Sequence, residues 1–318
     1  MIRNKKILTI VIPIYNVDKY LINCLESIGE INIEEVEVIL INDGSTDKSE
    51  EICKEYSKKF NYTYIYQKNK GCSSARNLGI ETSNGEYIWF IDSDDCVNKN
   101  AVSIILKNLK LRRIELLNFG MSIVDRDKNI IEEIVPKLEY KKEEFYNERG
   151  EILNGPCNKI YNLDIIKKYK IKFPENSHLG EDLVFNFKYL SKINNILTIQ
   201  DKLYYYYQRG EGVTSNLERQ LDIFLSFDDI LIFLGKDFAR ERIFQNHFKR
   251  NCIDFLYSSI IRSNLSFSEK IQRVKKIEKE VKIRKNIIGT DFKFRRYQMK
   301  WKLLRREIKN IFKKGKNI

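Results

Sequence analysis

Three carboxylates within four positions directly follow a run of large apolar residues. The run is Tyr87–Ile91, and Asp92, Asp94 and Asp95 come after it. Five such residues are the length of a strand that is buried on both faces of a parallel sheet. Carboxylates packed together repel one another and lose hydration. A cluster of them at the end of a buried strand therefore indicates a bound cation.

Carboxylate oxygens without a neighbouring histidine favour Mg²⁺ or Mn²⁺ over Zn²⁺. Such an ion usually shares its coordination sphere with the phosphates of a substrate. A turn in which an aspartate caps the helix after Val97 is the alternative, and for Asp95 both interpretations stay open. For Asp92 and Asp94 the pattern favours the metal.

The elements that would position these residues alternate between strand and helix. Apolar strands are predicted at Ile7–Pro13, Val36–Ile41, Tyr62–Tyr66 and Tyr87–Ile91, with an amphipathic helix after each of the first three. Short links between them predict right-handed crossovers and a mostly parallel sheet, an α/β fold with helices on both faces. The carboxyl ends of the strands then share the edge at which open α/β sheets bind ligands.

Four motifs stand at these strand ends, in the order VIPIYN, INDGSTD, GCSSARNLGI and FIDSDD. Together they resemble the family-2 glycosyltransferases over roughly residues 7–215. Gly180-Glu181-Asp182, and Arg209 before Gly212–Ser215, are also similar to that family. The resemblance implies a GT-A fold and inverting, metal-dependent transfer from a nucleotide sugar. The chain has no QxxRW-type motif, which processive membrane-embedded members carry, so a single-sugar transferase or a soluble polymerase is expected.

The resemblance assigns the donor site residue by residue. It implies that Asp94 binds the metal, that Asp92 binds the ribose or the metal, and that Asp43 accepts from the pyrimidine N–H. Arg76 would lie near the uracil or the diphosphate. A turn at Asn-Asp-Gly is the alternative for Asp43, and a surface ion pair is the alternative for Arg76. The predicted nucleotide-sugar site comprises Pro13, Ile14, Tyr15, Asn16, Asp43, Arg76, Asp92, Ser93 and Arg209.

Inversion requires a base on the face of the sugar opposite the leaving group. The family pattern implies that Asp182 is this base and that Glu181 orients it or contacts the acceptor. Spacing alone favours another role, because acids in a first helical turn stabilise the helix dipole. His178 precedes this pair and is interpreted as a loop residue. Lys159 and Tyr161 are candidates for the acceptor or diphosphate side.

The resemblance implies a nucleotide-sugar-binding half at 1–100 and an acceptor-binding half at 101–217, and the distribution of charge marks off a basic helical region at 218–318. Residues 1–217 contain 31 Lys/Arg and 32 Asp/Glu, whereas the rest contains 26 and 12. The whole positive excess therefore lies in the last third. The six cysteines form no CxxC pair, which argues against a disulfide framework or a zinc site.

The last 28 residues, 291–318, carry 11 basic and two acidic side chains. Aromatic and aliphatic residues recur there every three or four positions, and most basic residues fall on the other side. This pattern is typical of an amphipathic helix on an anionic membrane surface. A helix packed on its own domain is the alternative.

The sequence therefore predicts an inverting glycosyltransferase that uses a UDP-sugar and Mn²⁺ or Mg²⁺. Its acceptor would be a glycan or lipid-linked hydroxyl in cell-surface polysaccharide biosynthesis, and its location the cytoplasmic face of the membrane. The alternatives are a soluble or protein acceptor and, in another class, a nucleic-acid-binding protein with a basic tail. No nucleic-acid-binding motif is present, so no nucleic acid is expected as a partner. A Rossmann dehydrogenase is disfavoured, because no GxGxxG follows the first strand.

Overall fold

The structure is a computed structural model. It describes residues 6–29, 31–125, 127–140, 155–177, 179–208, 219–235, 248, 252–253, 255–263 and 265–283. The chain forms two compact units. One comprises Met1–Asn176 and Gly180–Gly212, and the other comprises Ser177–Leu179 and Val213–Ile318. The predicted division at 100/101 falls within the first unit, where both halves contribute strands to one sheet.

Strands and helices alternate in the first half of this unit, as predicted. The elements are β1 (Leu8–Ile14), α1 (Asp18–Ile28), β2 (Val36–Asn42), α2 (Ser49–Phe60), β3 (Thr63–Tyr66), α3 (Cys72–Thr82) and β4 (Tyr87–Phe90). β1 pairs in parallel with β2 and with β4, and β2 pairs in parallel with β3. The carboxyl ends of these strands therefore meet at one edge of the sheet.

The second half of the unit adds five strands and three helices in the described residues. They are β5 (Cys96–Val97), α4 (Ala101–Leu111), β6 (Leu116–Val124), β7 (Ile130–Ile134), β8 (Lys159–Asn162), α5 (Leu163–Lys168), α6 (Glu181–Leu190) and β9 (Leu197–Tyr207). The strand order is β3-β2-β1-β4-β8-β6-β9-β5, and β7 pairs with β6. β8 lies antiparallel between β4 and β6, so the sheet is mixed in this half.

The sequence pattern predicts two paired strands at Leu197–Ile199 and Leu203–Tyr207, and this prediction is wrong, because they form one continuous strand, β9. The pattern also predicts a solvated stretch at residues 125–148, and the described part of it is largely exposed. The prediction missed β7, which lies within this stretch and pairs with β6. β7 is exposed along almost its whole length, which explains the missing apolar pattern.

The core of this unit is densest around β4. Each residue of β4 is buried, because helices and neighbouring strands cover both faces of the sheet. Trp89 contacts Phe119 edge-to-face, with ring centroids 5.8 Å apart. Phe90 contacts Phe173 and Phe185 edge-to-face, at 5.2 and 5.8 Å. Aromatic packing of this kind makes the strand a rigid support for the carboxylates that follow it.

The second unit is helical where the structure describes it, as predicted. A 3₁₀ helix at Arg219–Asp222 leads into α7 (Ile223–Leu234), followed by α8 (Phe255–Arg262) and α9 (Phe267–Ile283). None of the helices in the described ranges has the length and apolar character that a membrane span requires. The predicted amphipathic helix at 291–318 lies outside the described residues.

Candidate active site

The loops after β1 and β2 hold one another through side-chain hydrogen bonds. The Asn16 side-chain oxygen accepts from the backbone N–H of Thr46 at 2.8 Å, and the Asn16 backbone N–H donates to Ser45 Oγ at 3.1 Å. Asp47 accepts from the N–H of Asp18 at 3.0 Å, at the start of α1. The INDGSTD motif therefore shapes the loop that carries Tyr15 and Asn16, directly after Pro13 and Ile14 at the end of β1. Tyr15 is 48% exposed at this edge.

Asp43 links β2 to the loop before α3. Its Oδ1 accepts from the Lys70 N–H at 2.9 Å and from Gln67 Nε2 at 2.6 Å, and its Oδ2 accepts from the Gly71 N–H at 2.8 Å. The turn at Asn-Asp-Gly is made by Asn42 instead, whose Oδ1 accepts from the Ser45 N–H. The structure therefore gives Asp43 an anchoring role, and its contact with a pyrimidine stays a prediction.

Two of the clustered aspartates are held by β9 and its neighbours. The Asp95 carboxylate accepts from the Tyr204 hydroxyl at 2.8 Å and from the Tyr207 N–H at 2.9 Å. The same Tyr204 hydroxyl accepts from the Asp92 N–H at 3.2 Å. Burial, together with Asp92 and Asp94, raises the pKa of Asp95. Asp95 therefore ties the acidic loop, residues 92–95, to β9 and does not cap a helix.

Arg76 lies between the acidic loop and the predicted base. Its Nη2 donates to Asp92 Oδ1 and its Nη1 donates to Asp182 Oδ1, both at 2.8 Å. The Arg76 side chain is only 4% exposed, so the interpretation of Arg76 as a surface ion pair is wrong. The other Asp92 oxygen, Oδ2, accepts from the Cys157 thiol at 3.0 Å. One guanidinium thus joins two carboxylates that are far apart in the sequence.

Asp182 lies in the first turn of α6, after Gly180, whose φ of 83° places it in the left-handed region. Partial removal from water raises the pKa of Asp182 to about 7. Arg76 opposes this shift, while the carboxylates of Glu181 and Asp92 add to it. Its side chain remains 30% exposed. A carboxylate that is accessible and titrates near neutral pH has the properties of a general base.

Buried polar side chains on β8 and α6 lie near Asp182 and are hydrogen-bonded within the protein. Lys159 Nζ donates to Asn158 Oδ1 at 2.7 Å and to the Gly155 carbonyl at 2.9 Å. Burial lowers the pKa of Lys159 to about 7. The Tyr161 hydroxyl donates to Asn186 Oδ1 at 2.6 Å. Lys159 and Tyr161 are both fully buried, which makes them supports of the site in this structure.

Asp94 borders a cavity of about 250 Å³. The cavity is lined by Lys19, Tyr20, Asn23, Asp94, Cys96, Lys128 and Tyr207. In the described residues, no group of three or more His, Cys, Asp or Glu side chains could hold a metal ion. A divalent cation bound by Asp94 and completed by diphosphate oxygens and water fits this donor set. Asp92 fits less well, because Arg76 and Cys157 engage both of its oxygens.

The model of one protein family, described as glycosyl transferase family 2, matches residues 9–170, about half of the chain. The match spans the loops after β1 and β2, the start of α3 and the acidic loop. The chain belongs to glycosyl transferase family 2.

The chain is similar to several curated bacterial proteins. EpsH of Bacillus subtilis, named as a putative glycosyltransferase, is 28% identical over 220 residues, which are 67% of this chain and 64% of EpsH. GgaB of B. subtilis, a minor teichoic acid biosynthesis protein, is 32% identical over 215 residues, 64% of this chain and 23% of GgaB. The chain therefore spans less than two thirds of either relative.

A solved structure shares the fold. Residues 1–349 of Staphylococcus aureus TarS in complex with UDP-GlcNAc superpose with a TM-score of 0.67 at 20% identity. The superposition covers 97% of this chain and 92% of that one. At this level of identity the likeness shows the fold, which confirms the predicted GT-A architecture with a helical C-terminal region.

The structure brings most of the predicted site residues of this family member to one edge of the sheet. Arg209 and His178 lie outside the described residues. Sequence reasoning missed Cys157, Tyr204 and Phe173. Their partners are at least 65 positions away in the sequence, and no local spacing rule marks such contacts. Cys24 and Cys53, on the apolar faces of α1 and α2, are buried in the core.

Proposed function

We propose that the chain is an inverting glycosyltransferase that moves a sugar from a UDP-sugar to a hydroxyl of a glycan or lipid-linked acceptor. Family membership supports the reaction class. The likeness to TarS, whose structure contains UDP-GlcNAc, supports a UDP-sugar as donor. TarS is a poly(ribitol-phosphate) β-N-acetylglucosaminyltransferase and GgaB is a teichoic acid biosynthesis protein. Both support an acceptor in a cell-surface polymer.

One observation carries the proposal: the Asp182 carboxylate, with its pKa near 7, is held by the same guanidinium that holds the acidic loop. This arrangement supports a proton acceptor next to the predicted donor side. In the reaction, an oxygen of the Asp182 carboxylate accepts the proton of the acceptor hydroxyl, and the hydroxyl oxygen attacks the anomeric carbon of the donor sugar. Attack opposite the leaving diphosphate inverts that carbon.

Asp94 would hold a divalent cation, Mn²⁺ or Mg²⁺. When bound there, such a cation neutralises charge on the departing diphosphate. Asp43 and the loop at Pro13–Asn16 would receive the nucleoside, at the carboxyl ends of β1 and β2. Arg209 and Ser93 would complete the donor site. Glu181, next to the base, would contact the acceptor.

We further infer that the enzyme works at the cytoplasmic face of the cell membrane, as a peripheral protein. The positive excess in residues 218–318 and the amphipathic pattern at 291–318 support this location. Lipid-linked acceptors would be presented at that surface.

The donor can be identified with the purified chain and Mn²⁺, by a thermal-shift screen followed by a hydrolysis assay. A ligand that binds only the folded protein stabilises it by about 2.7 kcal/mol when present at 100 times its Kd. We expect UDP and at least one UDP-sugar to raise the melting temperature, and that sugar to be hydrolysed or transferred. Absence of both effects for every nucleotide sugar, with Mn²⁺ and with Mg²⁺, would contradict the proposal.

A further inference from the structure

Arg76 was expected near the uracil or diphosphate, but its surroundings suit another task. We propose that Arg76 is a positioning residue that fixes Asp182 relative to the acidic loop and makes no contact with the nucleotide. The inference rests on the proposed function only in taking Asp182 as the base. The two terminal nitrogens of the guanidinium each donate to a protein carboxylate, Nη1 to Asp182 and Nη2 to Asp92.

An aromatic stack supports the face of this guanidinium. The Arg76 Cζ lies 5.1 Å from the centroid of the Phe173 ring. Phe173 in turn stacks on Phe185, with centroids 4.0 Å apart and an interplanar angle of 2°. Arginine stacks on aromatic faces in this way because its cation is planar and weakly hydrated. The ring and the two carboxylates together restrict the rotation of the guanidinium.

The residue after Arg76 holds the same ring in place. The Asn77 side chain accepts from the Phe173 N–H at 2.9 Å and donates to the Phe173 carbonyl at 2.9 Å. Adjacent residues of the GCSSARNLGI motif therefore serve one purpose: Asn77 places Phe173, and Phe173 supports Arg76.

The Nε of Arg76 is not offered to a ligand either, because it is buried and has no hydrogen-bond partner within the described residues. Nη1 and Nη2 each carry a second N–H, but only 4% of the Arg76 side chain is exposed, which leaves little surface for a nucleotide oxygen. Wider access to the guanidinium would require displacing Asp92 or Asp182. Removing one partner of a buried ion pair leaves an uncompensated charge and is strongly unfavourable. The bridge that Arg76 forms between Asp92 and Asp182 is therefore a fixed part of the site.

The bridge demands the shape of arginine as well as its charge. A guanidinium presents several N–H donors in one plane and can serve two carboxylates at once, whereas the lysine ammonium is a compact charge on a flexible chain. In Arg76→Lys the positive charge persists, but the geometry of Asp182 is lost. A catalytic group displaced by about 1 Å can cost about 10²-fold in rate.

The test compares Arg76→Lys with Lys172→Gln, a control that removes an exposed ion pair of Lys172 with Glu81. We expect Arg76→Lys to lower kcat by about 10²-fold, with the Kd for UDP unchanged within about twofold. The control should leave both unchanged. A fall in UDP affinity that matches the fall in kcat would place Arg76 on the nucleotide and overturn the proposal. Full activity of Arg76→Lys would overturn it too, by showing that charge alone suffices.

A second variant covers the case in which Arg76→Lys does not fold. Phe173→Leu keeps all charges and removes the aromatic ring beneath Arg76, together with its ring contacts to Phe90 and Phe185, so a thermal melt must first show that the variant is folded. It should lower kcat and leave the Kd for UDP unchanged, and unaltered kcat in this variant would contradict the role of the ring.

Guanidinium NMR separates this proposal from the proposed function, because it needs no turnover. One arginine of the wild-type chain, whose signal disappears in Arg76→Lys, should show slow rotation about its Cζ–N bonds. The slow rotation should be lost in Asp182→Asn. A freely rotating Arg76 in the wild type would overturn the bridge, whereas a wild type that binds no UDP-sugar would contradict only the proposed function.

Discussion

The three aspartates of the acidic loop show how environment separates residues of one type. Asp92 is bound by Arg76 and Cys157, Asp95 is buried against β9, and Asp94 borders the cavity. The sequence predicted that this cluster is special, because buried strands rarely end in three carboxylates. It could not divide the roles, since the tyrosine that binds Asp95 is 109 positions away.

The position of Asp94 gives a prediction at this scale. Asp94→Asn should abolish sugar transfer without unfolding the protein, because the amide cannot neutralise a cation as a carboxylate does. EDTA should have the same effect on the wild type. The measurements are UDP release and a thermal melt, with the exposed Asp201→Asn as a matched control. Full activity of the wild type in EDTA would rule out a metal-dependent reaction.

The raised pKa of Asp182 predicts how the rate depends on pH. A base acts only when it is deprotonated, so kcat/KM should fall about tenfold per pH unit below the pKa of Asp182, about 7. Above that pH the base is ionised, so kcat/KM should no longer rise with pH. A pH–rate profile of the wild type checks this. A rate that stays constant from pH 7 down to pH 5 would exclude Asp182 as the titrating base.

At the scale of elements, the parallel half of the sheet followed from the sequence and the mixed half did not. β1, β2 and β4 are rich in apolar residues, and a strand buried on both faces leaves such a run in the sequence. β8 has only four residues and gains its place by pairing with β4 and β6. Pairing between segments distant in the chain is set by packing, which a local pattern does not record.

The close contact of α3 with β1 yields a stability prediction. A Cβ at Gly79 would lie 2.3 Å from Val11 Cγ1 and 2.9 Å from Val11 Cγ2. Gly79→Ala should therefore lower the free energy of unfolding by about 1 to 3 kcal/mol through overpacking. Urea denaturation measures the change.

A double-mutant cycle provides the control for this contact. In a Val11→Ala background the clashing methyl groups are absent, so Gly79→Ala should cost less there, with a coupling energy of at least about 0.5 kcal/mol. Equal costs in both backgrounds would show that backbone effects, not the contact with Val11, decide the outcome.

At the scale of the whole molecule, the sharpest division along the chain is one of net charge. The first 217 residues are nearly neutral, and all of the net charge of +13 comes from the rest. The helical character of residues 219–283 was predicted from periodicity and is seen in the described part of that region. The role of the basic tail stays a prediction, because 291–318 lie outside the described residues.

Removal of residues 291–318 tests the proposed location. Each basic residue near an anionic surface contributes about 1 kcal/mol, and the apolar residues add burial at the headgroup boundary. The full-length chain should therefore sediment with anionic vesicles, and the truncated chain should not. High salt should weaken binding only in part. Equal sedimentation of both chains, or none by the full-length chain, would contradict a membrane-binding tail.

The central claim is that Asp182 is the base of a nucleotide-sugar transferase, and Asp182→Asn tests it most directly. The measurement pairs kcat for sugar transfer with the Kd for UDP in the wild type and in this variant. Loss of a general base should lower kcat by about two to four orders of magnitude, while the Kd for UDP changes little, because the base faces the acceptor. A loss of UDP affinity as large as the loss of rate, or a variant as fast as the wild type, would contradict the account.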